Sequence, residues 1–168
     1  MDRRAPTSGI GARFMPGALR AVCLAVLGGL TAAHMNEAPH MLAAGALAGM
    51  LVGAVGVMLL RWTFFAANPA LRAISGTGAI QAAIDRGFLM LLPFTVLAAV
   101  AELLLGWNAV QAFSSAALLT AAAAATSEVV ALGGGRWRNA IIATAVGTAM
   151  SVAWIFGSMF MGTLQGLA

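Results

Sequence analysis

Glu102 and Glu128 lie inside long apolar runs, and chemistry is most readily expected from these two carboxylates. An ionised carboxylate in hydrocarbon is costly, so an acid in such a run marks a position facing a bundle interior or water. Glu102 is five residues from the end of its run, about 7 Å deep at the helical rise. Glu128 is four residues from the opposite boundary of the next run, about 6 Å deep. The resulting separation, roughly 15–18 Å along the membrane normal, excludes a catalytic carboxylate pair or a shared metal. The two acids fit instead as successive stations for a proton or cation, with Ser115, Thr144, Thr148 and Ser151 between them. Glu128 has a plainer alternative, an ion pair with Arg86, Arg136 or Arg138. No arginine is expected on the side of Glu102, which is left with water or the hydroxyls of Ser115, Ser151 and Ser158.

A second constellation is the segment His34-Met35-Asn36-Glu37-Ala38-Pro39-His40-Met41, which contains both histidines of the chain as a doubled His-Met pair. Imidazole and thioether together suit copper, above all Cu(I). His34, Met35, His40 and Met41 are the metal candidates, and Met159 and Met161 are expected at the same surface. With ten methionines in the chain, chance proximity is the plainer explanation of the pattern. Other chemistries lack their residues. The single cysteine, Cys23, excludes an intramolecular disulfide and a thiolate cluster. No Ser-His-Asp set falls at one depth, and Gly133-Gly134-Gly135 lacks the lysine of a phosphate loop. The chain is therefore not expected to be an enzyme, and copper is the one cofactor its residues bring to mind.

The elements that position these side chains follow from composition. Of 168 residues, 61% are hydrophobic and 8% charged, with a mean hydropathy of +0.94. A soluble domain carries about 25% charged residues because its surface faces water. Lipid must be the solvent here, and the expected fold is an all-α polytopic membrane bundle of five transmembrane helices. Their approximate bounds are 18–35, 41–60, 87–107, 109–132 and 139–165, after a disordered tail at 1–17. Residues 61–86 are expected as an interfacial loop, with turns at Asn68-Pro69 and Ser75–Gly78 and a short helix capped by Thr77. The first run is short, and its Arg-rich start and Thr31-Ala32-Ala33 end also fit a cleaved signal peptide. Cleavage would leave four helices. Pro93 is expected to kink the third.

All nine basic residues are arginines, grouped at 3–20, 61–86 and 136–138, in alternate gaps between the runs. The positive-inside rule then gives a cytoplasmic N-terminus and an external C-terminus. Trp62, Trp107 and Trp137 sit at expected interfaces, and Trp154 sits mid-helix. The net charge of +4 is spread over helix ends, so anionic lipid is the expected partner and nucleic acid is not. The absence of lysine and tyrosine beside abundant alanine and glycine fits a GC-rich genome and a bacterial inner membrane.

Gly45, Gly49 and Gly53 recur every four residues, followed by Gly56, and Gly147 lies on a small-residue face with Ala143 and Ser151. Such faces let helix backbones approach in lipid. They serve contacts within the chain, a homo-oligomer or a larger membrane complex. The leading function is a small transporter, or the membrane subunit of one, for an ion or small solute. The alternatives are a non-catalytic accessory or assembly subunit, and copper handling through the outward His/Met loop.

Overall fold

A long apolar run satisfies its backbone most completely as a helix, because every N–H then bonds a carbonyl of its own segment. The computed structural model describes residues 10–35, 39–105 and 110–165, without the side chains at 10–16, 35, 72, 74–77, 105, 111–112, 158–159 and 161–165. The described chain contains helices α1 (Ile10–Met35), α2 (Met41–Ala67), α3 (Pro69–Phe88), α4 (Leu91–Val100), α5 (Val110–Ala131) and α6 (Arg136–Gln165), with no strand among the described residues. A π-helical turn, Ala101–Leu105, continues α4. Five segments are long and apolar enough to cross a membrane: Gly17–His34, Met41–Ala67, Gly78–Leu104, Phe113–Ala131 and Arg136–Gly157. Their exposed faces are apolar too, as Leu47, Leu51, Met58, Leu103, Ile141 and Phe156 show.

Several boundaries differ from those read off the sequence. The first helix starts at Ile10, inside the stretch expected to be a disordered tail, and residues 1–9 lie outside the described part. The expected loop at 61–86 is almost entirely helical. No helix breaker occurs between Arg61 and Ala67, so α2 runs on past the end of its apolar stretch. The break comes at Asn68, and Pro69 then opens α3, at the position where a missing N–H costs nothing. The turn expected at Ser75–Gly78 does not form, and the helix continues through it. Thr77 is consequently helix interior rather than a cap.

The third crossing is built from the end of α3, all of α4 and the π turn. Its irregularity lies at Leu89–Met90, where i→i−3 bonds replace the α pattern: Leu89 N–H to Arg86 O, Met90 N–H to Gly87 O and Leu92 N–H to Leu89 O. Pro93 explains it. The proline ring clashes with the carbonyl four residues earlier, which is that of Leu89, and its own N–H is absent. Placing Pro93 in the first turn of α4 accommodates both. Helix α5 stops in a Schellman motif, with Gly133 at φ +98° and Gly134 N–H bonded to Val129 O at 3.0 Å.

Glycines set how closely the helices pack. Gly28 of α1 faces Gly45 and Gly49 of α2, and a Cβ on Gly28 would stand 2.9 Å from the Gly49 Cα and closer still to the Gly45 carbonyl. Gly53 holds the Leu24 side chain, and Gly56 receives Met150 of α6. Gly87 lies against the Ala125 backbone of α5, and Gly147 of α6 against Ala122 and Leu119. The regular glycine face of α2 is therefore spent inside the chain, on α1 and α6. Helix α1 also touches α4, α5 and α6, so a chain cut after Ala33 would leave that face without its partner. Antiparallel passage of the helices gathers Arg20, Asp85, Arg86 and Glu128 toward one end and His34 and Glu102 toward the other. These are called here the arginine end and the histidine end.

Gly87 and Gly78 offer a matched test of this packing. Gly87→Ala should destabilise the protein by about 1–3 kcal/mol, since the new methyl meets backbone that cannot yield. Gly78→Ala enters open space and should be neutral or stabilising, by up to about 1 kcal/mol. Reversible unfolding in mixed detergent micelles measures both.

Candidate functional site

The π turn after α4 carries Glu102, and the last turn of α1 carries His34. Contact between α1 and α4 brings the two together, with Glu102 Oε2 at 3.6 Å from His34 Nδ1. Both side chains are partly exposed, at 27% and 30%. Glu102 Oε2 itself is buried and has no hydrogen-bond partner among the described residues. The separation is too long for a direct hydrogen bond. The site therefore pairs a carboxylate oxygen lacking a donor with an imidazole that is cationic only when protonated. An inserted residue in the helical turn is the usual means of re-aiming a side chain, and such turns recur at functional sites.

One turn deeper, Thr31, Ser114 and Trp154 form a buried polar cluster. Thr31 Oγ1 lies 3.1 Å from Ser114 Oγ, and the Trp154 indole N–H donates to Thr31 Oγ1 at 3.3 Å. Both hydroxyls also bond carbonyls of their own helices, Thr31 to Leu27 and Ser114 to Val110. Ser151 and Ser115 meet across α6 and α5, where the Ser151 hydroxyl donates toward Ser115 O at 3.4 Å and Gly147 O at 3.0 Å. The Ser115 hydroxyl has no partner among the described residues. Among the described residues, neither serine hydroxyl hydrogen-bonds Glu102. Thr144 and Thr148 face outward, Thr144 bonded to the Ala140 carbonyl of its own helix. Between Ser114 and Thr126 the buried face of α5 is wholly apolar, formed by Ala117, Leu118, Ala121, Ala122 and Ala125. No polar chain joins the two ends along this helix.

The arginine end is closed by pairing. Arg20 of α1 binds Asp85 of α3, which also accepts from Gln81 at 3.0 Å, and the guanidinium stands 6.0 Å above the Phe88 ring. Arg86 pairs with Glu128 at 2.6 Å on the exposed flank of α3 and α5. Glu128 thus takes one of the three arginines open to it and stands at the surface, away from Glu102. Nearby, Asn68 and Asn139 exchange reciprocal amide hydrogen bonds of 2.8 and 3.1 Å, both fully enclosed. Asn68 also accepts from Gly135 N–H and donates to Phe64 O, tying the α2–α3 break to the start of α6. Two buried amides can satisfy one another only in this face-to-face form.

The doubled His-Met motif straddles the end of α1 and the start of α2. His34 ends α1 beside Glu102, whereas His40 is exposed just before α2 and Met41 is buried. The Met35, Met159 and Met161 side chains and residues 36–38 lie outside the described part, as do Trp107 and Ser158 in its side chain. No group of three or more His, Cys, Asp or Glu side chains gathers among the described residues. Cys23 is buried in the core. Trp62 and Trp137 are exposed at the arginine end and Trp154 is buried. The contacts that were not anticipated include His34–Glu102, Arg20–Asp85, the Asn68–Asn139 pair and the Thr31–Ser114–Trp154 cluster.

The amide pair makes a quantitative prediction. Asn139→Leu strands the Asn68 amide in a buried site and should cost about 1–3 kcal/mol. The double variant Asn68→Leu/Asn139→Leu should cost less than the sum of the single changes, because neither partner is then left unmatched. A double-mutant cycle from detergent unfolding reads the coupling directly.

Compared with known proteins, the chain matches no protein-family model, no curated protein and no solved structure.

Proposed function

We propose that this chain is a multi-pass protein of a bacterial cytoplasmic membrane, with its arginine end inside and its histidine end outside. It acts as a small transporter, or as the membrane subunit of a transport system, for an ion or small solute. Lipid is the natural solvent for its apolar outer faces, and the arginine clusters favour this orientation. One observation carries the transport reading: Glu102, on a π turn beside His34, presents a buried oxygen without a donor. A carboxylate so placed completes its coordination by taking a proton or a cation. The pair is partly exposed at the histidine end, and the core below it is packed. Passage therefore requires a second arrangement of the helices, and the break in the α pattern at Leu89–Met90, between α3 and α4, supports a hinge there.

A second reading, an accessory or assembly subunit, draws on a different observation. The apolar face of α5 interrupts the polar groups, and an apolar groove of about 380 Å³ runs between α2 and α6 along Leu51, Val55, Leu59, Val146 and Met150. That reading predicts a stoichiometric membrane partner on mild extraction.

Reconstituted vesicles with an interior pH dye test the transport reading. Addition of Na⁺, K⁺ or Zn²⁺ outside should drive proton movement through the unaltered protein, and Glu102→Gln should abolish it while eluting as the same monodisperse species. Equal proton movement in the two proteins would remove Glu102 from any transport role.

A further inference from the structure

We infer that His34 and Glu102 form a binding site for a divalent transition metal of the zinc class, captured from the outer side as cargo. The inference rests on the transport reading and names its substrate class. Its basis is the spacing and chemistry of the two donors.

His34 Nδ1 and Glu102 Oε2 stand 3.6 Å apart. A direct charge-assisted hydrogen bond would hold them at about 2.7–2.9 Å. A bridging water, hydrogen-bonded to both, would hold them at about 4.5 Å. Two ligands of one tetrahedral zinc, with Zn–N and Zn–O near 2.0–2.2 Å, lie about 3.3–3.5 Å apart. The observed distance falls nearest the last geometry. The donor set agrees with it, because imidazole and carboxylate are ordinary partners of Zn²⁺, whereas Cu(I) prefers sulfur. Glu102 Oε2, buried and without a hydrogen-bond donor, is the atom with an open coordination requirement. Both side chains are partly exposed, which sets the pair at the edge of the bundle rather than in its closed core. A site with two protein ligands holds its ion loosely enough to release it, as cargo requires and a structural zinc does not.

This assignment also divides the roles in the His-Met motif. His34 is a ligand together with Glu102, from a helix distant in sequence, and His40, exposed at the start of α2, is not required.

Zn²⁺ is the probe. Isothermal titration of the full chain in detergent should give one Zn²⁺ per chain. His34→Ala and Glu102→Gln should each weaken binding about tenfold or more, since even supporting residues of metal sites carry 10–100-fold effects, and His40→Ala should leave it unchanged. X-ray absorption at the zinc edge of the unaltered protein needs no variant to fold. It should show only nitrogen and oxygen neighbours at about 2.0–2.2 Å. A sulfur shell at about 2.3 Å, or binding lost in His40→Ala but kept in His34→Ala, would overturn the assignment. Absence of Zn²⁺ binding with Glu102-dependent movement of another ion intact would overturn it too, and would leave the transport reading standing.

Discussion

Backbone contact between α1 and α2 is the constraint from which the rest of the arrangement follows. Gly28 meets Gly45 and Gly49 so closely that no side chain fits between them. Apolar helices in lipid gain nothing from hiding apolar surface, so close packing has to supply the cohesion. With α1 held there, its far end delivers His34 to Glu102 and its near end delivers Arg20 to Asp85. Leu24, Leu27 and Thr31 then point into the centre, where Trp154 and Ser114 meet them. Gly87 repeats the device against the α5 backbone, and Gly56 makes room for the Met150 side chain of α6.

The two ends of the bundle differ in how their polar groups are satisfied. At the arginine end Arg20, Asp85, Arg86 and Glu128 are matched, and Asn68 and Asn139 complete each other. At the histidine end Glu102 has an oxygen without a donor and a neighbour whose charge depends on a proton. Buried polar groups in folded proteins are rarely left unmatched, and an exception asks for an ion, a water or a function. The asymmetry sets an unmatched carboxylate at the histidine end against matched polar groups at the arginine end.

Much of this arrangement was legible in the residues. Runs of apolar residues located the five crossing segments, and Asn68-Pro69 located the break between α2 and α3. Glu128 took one of the three arginines within its reach. Helix ends were read less well, because apolarity marks where lipid begins, not where a helix stops. Arg61–Ala67 and the Ser75–Gly78 stretch contain nothing that forbids a helix, and both are helical. The His34–Glu102 contact was within reach: the depth argument that separates Glu102 from Glu128 also sets Glu102 level with the end of the first crossing. Composition drew His34 instead toward its sequence neighbours, the methionines. The Asn68–Asn139 pair had no such signal, since only tertiary contact can match residues on separate helices.

The central claim is a bundle whose histidine end faces out and whose arginine end faces in. Single cysteines introduced into a Cys23→Ala background, at His40 and at Arg136, test it most directly in intact cells with a membrane-impermeant maleimide. The account predicts labelling at position 40 from outside, and at position 136 only after permeabilisation. Labelling at 136 in sealed cells, with 40 protected, would invert the orientation and remove the outward-facing site.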